Sequence, residues 1–312
     1  NRLSLVGSEM CIRDSLLINL LDGIGVDVKK INDTTYKFKS NNIDLTYTKT
    51  KEFFDKSSKI RGSIMLMGPM VARFGSAYIA KPGGDKIGRR RVDTHFIGLQ
   101  ELGANFSVED NNSVFKIYAN KLRGTKILLD EASVTGTANI VMAASLAAGE
   151  TTIYNAACEP YLQQLCKMLN SMGADIRGIG SNYLKIQGVK SLSGTKHRIL
   201  PDMIEIGSFI GLAAMTKSDI KINDVSVENL GIIPKTFQRL GIKMKIESDC
   251  IHIPPQDNYE IESFIDGSIM TIADAIWPGF SPDLLSIALV TSIQAKGTVL
   301  IHQKMFESRL FF

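Results

Sequence analysis

The chain has 312 residues, 44% hydrophobic and 22% charged, with a formal net charge of +4. That length suits about two domains. The small charge argues against bulk nucleic-acid binding, and no apolar run approaches the roughly 18 residues that read as a membrane span.

Residues 1–15 show neither helical nor strand periodicity, no starting Met and no signal-peptide core, so they read as a non-native leader. An amphipathic helix is predicted over 16–24, closed by Gly25. The same phrase, an apolar residue, Gly and then a strand start, recurs at Gly103, Gly173 and Gly241, at intervals of 78, 70 and 68 residues. Amphipathic helices are predicted before these glycines over 94–102, 160–172 and 228–240. A short hairpin follows each, as over 175–179 and 184–187.

A second pattern, an apolar helix and then a strand, alternates with the first. It occupies 64–74 and 76–80, 138–148 and 151–155, 204–216 and 219–223, and 284–296 and 298–302. The combination is a β-α-β-α-β-β unit of about 70 residues, with apolar helices that belong beneath sheets. The Ser-, Gly- and Pro-bearing stretch 192–202 marks a domain boundary, dividing the chain into 16–200 and 201–312. The chain stops inside an apolar pattern at Phe312 without a helix stop signal, which reads as a fragment.

Four cysteines (Cys11, Cys158, Cys166, Cys250) lack C-x-x-C spacing and read as reduced thiols. The four histidines (His95, His197, His252, His302) show no paired metal motif, so neither a metal nor a cofactor is expected.

Four stretches carry chemistry. In the loop from Lys81 to Asp93, Asp85 sits among Lys81, Lys86, Arg89, Arg90 and Arg91. Such a cluster fits a bound phosphate or carboxylate, although a solvated face has the same composition. Asp93 or Thr94 can cap the helix that follows. Arg61 stands at the start of an apolar helix, where a cation opposes the dipole and answers to an anion. The turn from Asp130 to Thr137 is rich in hydroxyls and opens a helix, suited to capping or to holding phosphate. Two prolines and the single tryptophan lead to Asp283, either a helix cap or a positioned base.

These stretches, with the runs from Leu200 to Gly207 and from Met305 to Arg309, resemble the UDP-N-acetylglucosamine 1-carboxyvinyltransferase family of the EPSP synthase superfamily. The resemblance runs from about residue 16 to the last. It implies a two-domain inside-out α/β barrel of β-α-β-α-β-β units, incomplete here by one unit. It also implies transfer of the enolpyruvyl group of phosphoenolpyruvate to the 3′-hydroxyl of UDP-N-acetylglucosamine with release of phosphate. That is the first committed step of peptidoglycan synthesis, in the bacterial cytoplasm, with no obligate protein partner. By the same resemblance Asp85 is the acid and Asp283 the base. Arg61, Arg90, Arg91, Val92, Asp93, Thr94, Glu131, Ala132, Ser133, Val134, Met305 and Arg309 would contact substrates. Arg90 is the candidate grip on the phosphoenolpyruvate phosphate. The rival readings are the sister transferase acting on shikimate 3-phosphate and an inactive nucleotide-sugar-binding paralogue.

The sequence departs from the family pattern in places. Most relatives carry cysteine where Asp85 stands, and many carry Lys and Gly where Glu131 and Thr135 stand. The family's N-terminal Lys-Asn pair has no match, and its C-terminal arginines would lie beyond Phe312, so the chain as given is expected to be inactive. A carboxyl has an ordinary pKa of about 3.9, low for an acid at neutral pH, and burial beside substrate phosphate would raise it. A carboxylate is also a poorer target than a thiolate for epoxide alkylation. Resistance to fosfomycin is therefore expected. Intact-mass measurement after fosfomycin treatment should show no adduct at residue 85, and an adduct there would refute the expectation.

Overall fold

A computed structural model describes residues 9–83, 91–109, 113–306 and 310, with side chains from residue 14 onward. One complete β-α-β-α-β-β unit lies in the middle of the chain. Strand Lys126–Leu128 leads through helix Val134–Ala144 to strand Glu150–Tyr154, which runs parallel to it. A parallel pair needs such a crossover. Helix Pro160–Ser171 then leads to the hairpin Asp175–Arg177 and Tyr183–Gln187, whose second strand returns antiparallel to Glu150–Tyr154.

The same three-stranded order recurs on both sides. Ser76–Ala80 pairs with Val114–Tyr118, which pairs with Asn105–Glu109. Likewise Ile220–Asn223 pairs with Cys250–Ile253, which pairs with Lys245–Glu247. The parallel step recurs between Met270–Ala273 and Val299–His302, on either side of helix Leu285–Ser292. The repeat expected from the glycine spacing is the repeat of the fold.

The repeat glycines have one conformation and one purpose. Their φ values are 90° at Gly25, 95° at Gly103, 104° at Gly173 and 91° at Gly241, where a side chain would be strained. Each glycine N–H reaches the carbonyl three residues back, and the next N–H reaches five back. For example, Gly173 bonds to Asn170 and Ala174 to Leu169, each at 3.0 Å. This pairing satisfies the last helical carbonyls and turns the chain into the following strand.

Helices lie inside and sheets outside. In helix Val134–Ala144 the residues Gly136–Val141, Ala143 and Ala144 are buried, whereas all of strand Thr35–Lys39 is exposed. Among the described residues two large hydrophobic cores result, one built from residues between Leu20 and Ile186, the other between Met203 and Ala288, with a small cluster of Ala138, Ala157 and Leu162 beside them. Two glycines let neighbours approach the central helix. A methyl at Gly68 would strike the backbone carbonyl of Asn139, and one at Gly98 would strike Ile140 Cδ1.

Several elements differ from their predicted extents. Residues 9–15, set aside as leader, belong to helix Glu9–Gly23. The span 228–240 is not one helix but a 3-10 turn Val227–Asn229 and a helix Ile233–Arg239, parted by Gly231 at φ 54° and by Pro234 near the new helix start. The span 284–296 divides into a 3-10 turn Pro282–Leu284 and helix Leu285–Ser292. The helix predicted over 138–148 starts earlier, at Val134, because Ser133 caps it.

Gly68→Ala should lower stability by about 1–3 kcal/mol, since the obstructing atom is backbone. Gly98→Ala should cost less, because the end of the Ile140 side chain can rotate away and alanine favours the helix. Denaturant midpoints of the two variants would check this order.

Candidate active site

The first group of candidate residues is tied together by polar contacts. Arg61 opens the 3-10 helix Arg61–Leu66, and its Nη2 donates to the Arg91 carbonyl at 2.8 Å. Arg91 Nε donates to Asp93 Oδ2 at 3.0 Å, and its Nη2 lies 3.4 Å from Asp130 Oδ2. The Thr94 hydroxyl, buried, donates to Glu131 Oε1 at 2.9 Å. Ser133 Oγ accepts the Gly136 N–H at 3.2 Å and so caps helix Val134–Ala144. Capping is thus one use of that hydroxyl-rich turn.

Neither Asp93 nor Thr94 caps the helix Asp93–Glu101. Val92 holds the cap position, without a side-chain hydrogen bond. The Asp93 carboxylate is engaged locally by Arg91, and the Thr94 hydroxyl links its segment to Glu131, so neither side chain closes the helix end. Ala132 and Val134 lie half-buried beside Ser133.

Beneath this surface lies a buried pair, His95 and Asn139, 1% and 0% exposed. Asn139 Oδ1 accepts the Gly68 backbone N–H at 2.9 Å, which fixes the orientation of its amide. Its Nδ2 therefore donates, to the Ile64 carbonyl at 2.8 Å and to His95 Nδ1 at 2.7 Å. With Nδ1 accepting, the ring hydrogen of the neutral imidazole sits on Nε2 and is donated to Thr135 Oγ1 at 3.1 Å. Burial, with the Arg61 charge adding to it, lowers the His95 pKa to about 4, so the ring is neutral at physiological pH.

The second group surrounds Asp283. Ser281, not Asp283, caps the 3-10 turn Pro282–Leu284, accepting the Asp283 N–H at 3.2 Å. The Asp283 residue is exposed. Nearby, buried Asp274 accepts the N–H of Lys304 at 2.5 Å and of Met305 at 3.1 Å, which anchors the Met305 segment. This group abuts the first core. Cys158 Sγ lies 3.6 Å from the Trp277 carbonyl. Burial, then the carboxylates of Glu159, Asp283 and Asp202, raise the Tyr161 phenol above its ordinary pKa.

Asp85, Arg90 and Arg309 lie outside the described residues. Among the described residues no group of three or more His, Cys, Asp and Glu is placed to hold a metal, and no helix is long and apolar enough to cross a membrane. Cys158, Cys166 and Cys250 are free thiols.

The profile of the family described as EPSP synthase (3-phosphoshikimate 1-carboxyvinyltransferase) matches residues 13–312. The chain belongs to the EPSP synthase family. Within the family it is 66% identical over 296 residues to a protein of Bacteroides thetaiotaomicron named UDP-N-acetylglucosamine 1-carboxyvinyltransferase, covering 95% of this chain and 68% of that one. The like-named proteins of Porphyromonas gingivalis and Treponema denticola are 62% and 49% identical, with 68% of each covered. Among solved structures, the enolpyruvyl transferase NikO from Streptomyces tendae superposes with a TM-score of 0.73 at 17% identity, over 91% of this chain and 65% of that one. An EPSP synthase from Acinetobacter baumannii superposes with a TM-score of 0.60 at 16% identity, over 80% and 58%. The chain therefore has the inside-out α/β architecture of the family's fold.

Of the family-based candidates, the structure brings Arg61, Arg91, Asp93, Thr94, Glu131 and Ser133 into one connected set, and places Asp283 and Met305 in another. Sequence reasoning missed His95, Asn139 and Asp274. Polar residues inside otherwise apolar elements were the available signal, as with Asp274 in Met270-Thr271-Ile272-Ala273-Asp274.

Since the folded-state pKa of His95 is depressed, the unfolded chain binds a proton between about pH 6.5 and 4 that the folded chain refuses. Stability should be full above that window and fall as pH drops through it, by about 2 kcal/mol between pH 7 and 5 from this residue. His95→Gln should start less stable but lose less over that interval. Urea denaturation at the two pH values would measure the difference.

Proposed function

We propose that the chain belongs to an enzyme transferring the enolpyruvyl group of phosphoenolpyruvate to the 3′-hydroxyl of UDP-N-acetylglucosamine, with release of phosphate. The observation that carries this reading is identity of 66–67% over 296 residues with relatives named for that reaction. The sister reaction on shikimate 3-phosphate is not favoured, because relatives this similar bear the nucleotide-sugar name.

In this reading Asp85 protonates the methylene carbon of phosphoenolpyruvate while Asp283 takes the proton of the sugar hydroxyl, and the oxygen bonds to the carbon bearing phosphate. Loss of phosphate and a methyl proton from the tetrahedral adduct regenerates the double bond. Cations stabilise the phosphate as it departs, the task assigned to Arg90. Arg61, Arg90, Arg91, Val92, Asp93, Thr94, Glu131, Ala132, Ser133, Val134 and Met305 contact the nucleotide sugar, and Arg309 is a further substrate-binding residue. The connected set from Arg61 to Ser133 supports this grouping, since residues on three segments converge through direct hydrogen bonds. The approach of Cys158 Sγ to the Trp277 carbonyl, at 3.6 Å, supports a site at the seam of two domains, 16–200 and 201–312. Nucleotide sugar and phosphoenolpyruvate as substrates, and bacterial relatives, support a cytoplasmic enzyme of peptidoglycan synthesis without an obligate protein partner.

The chain itself should bind UDP-N-acetylglucosamine and not shikimate 3-phosphate by titration calorimetry. Extended to the length of its relatives, it should release phosphate from phosphoenolpyruvate only when UDP-N-acetylglucosamine is present. Asp283→Asn should lower that rate by roughly a hundredfold or more. Binding without phosphate release would favour the inactive paralogue instead.

A further inference from the structure

Three segments that the proposed function assigns to the nucleotide sugar meet a buried polar pair that it does not use. Asn139 bonds the carbonyl of Ile64 in the Arg61–Leu66 turn and the N–H of Gly68 in the next helix. It also bonds His95, next in sequence to Thr94. His95 in turn donates to Thr135, in the first turn of the helix that Ser133 caps. One continuous set of hydrogen bonds therefore runs from the base of Arg61, under Thr94, to the residue after Val134.

Position within the helices makes this bond consequential. Helices Asp93–Glu101 and Val134–Ala144 pack closely at Gly98 and Ile140. At their N-terminal ends the contact is polar instead, Thr94 with Glu131 and His95 with Thr135. Apolar packing is nondirectional and leaves sliding and rotation cheap, whereas a buried hydrogen bond specifies one register. The first of these bonds engages an exposed carboxylate, Glu131, and can yield to a ligand that competes for it. The second rests on a buried ring held on its other side, so it stays when a ligand arrives.

We propose that His95 and Thr135 are positioning residues that set the spacing between the Arg91–Thr94 and Glu131–Val134 segments, and so the affinity for the nucleotide sugar. This inference rests on the functional reading above. The imidazole does not touch the ligand and takes no part in proton transfer. It acts as a fixed donor whose direction is dictated by Asn139.

The test replaces Thr135 by Val, which keeps the shape of the side chain and removes the acceptor, and by Ser, which restores it. Titration of the chain with UDP-N-acetylglucosamine should show affinity lowered roughly three- to tenfold in Thr135→Val and recovered in Thr135→Ser. Nitrogen-15 spectra of the imidazole should show the hydrogen on Nε2 in the unsubstituted chain. Undiminished affinity in Thr135→Val, or a loss that serine does not recover, would overturn the inference while leaving the functional reading intact. An Nδ1–H tautomer would likewise overturn it alone. Failure of the unsubstituted chain to bind UDP-N-acetylglucosamine would overturn the functional reading, and this inference with it.

Discussion

A helix of small residues passes through the first core, and the carboxamide of Asn139 is the polar group at its centre. Burying an amide is costly unless every donor and acceptor finds a partner. Here each does: Oδ1 on Gly68, and Nδ2 shared between Ile64 and His95. Because the partners come from different segments, satisfying one side chain fixes the mutual placement of three. The apolar residues around it, Ile64, Met67, Leu99, Ile140 and Val141, supply the driving force for burial but not this specificity.

Close approach is the other requirement of an architecture with helices inside. The central helix is packed by Gly68 and Gly98, where any side chain would meet Asn139 backbone or Ile140. A second pair of small residues serves the later core, with Gly207 against Leu284 and Gly211 against Ile287 and Thr291. The repeated glycine turn then returns each helix to the outer sheet with its carbonyls satisfied. The unit can recur along the chain because each copy resolves the same two problems, helix packing and helix termination, in the same way.

The candidate site draws on both cores in different styles. On the side of Arg61 and Thr94, side chains bond across segments, Arg61 to the Arg91 carbonyl and Thr94 to the Glu131 carboxylate, and the neighbouring His95 is bonded to Thr135 and Asn139. On the side of Asp283, backbone is held instead. Ser281 takes the Asp283 N–H, and Asp274 takes those of Lys304 and Met305.

Much of the architecture was legible in the amino-acid order. Glycine at intervals of about 70 residues records a backbone requirement that does not depend on tertiary context, and the alternation of apolar helix and short strand records which faces are covered. The motif residues were equally legible, since their types and order carry the family resemblance. Helix extents were less so: Gly231 with Pro234 split one predicted helix, and Ser133 began another earlier than its apolar pattern. What tertiary structure alone decided is the partnership of polar groups. Asp93 and Thr94 have the composition of helix caps, but Arg91, two residues back, takes the Asp93 carboxylate, and Glu131, close to Thr94 only in space, takes its hydroxyl for a cross-link. His95 looks like any histidine in an apolar run until Asn139, 44 residues away, meets its Nδ1 and sets the direction in which the ring donates. Hydrogen-bond direction depends on where distant backbone groups lie, and that is settled only when the helices have packed.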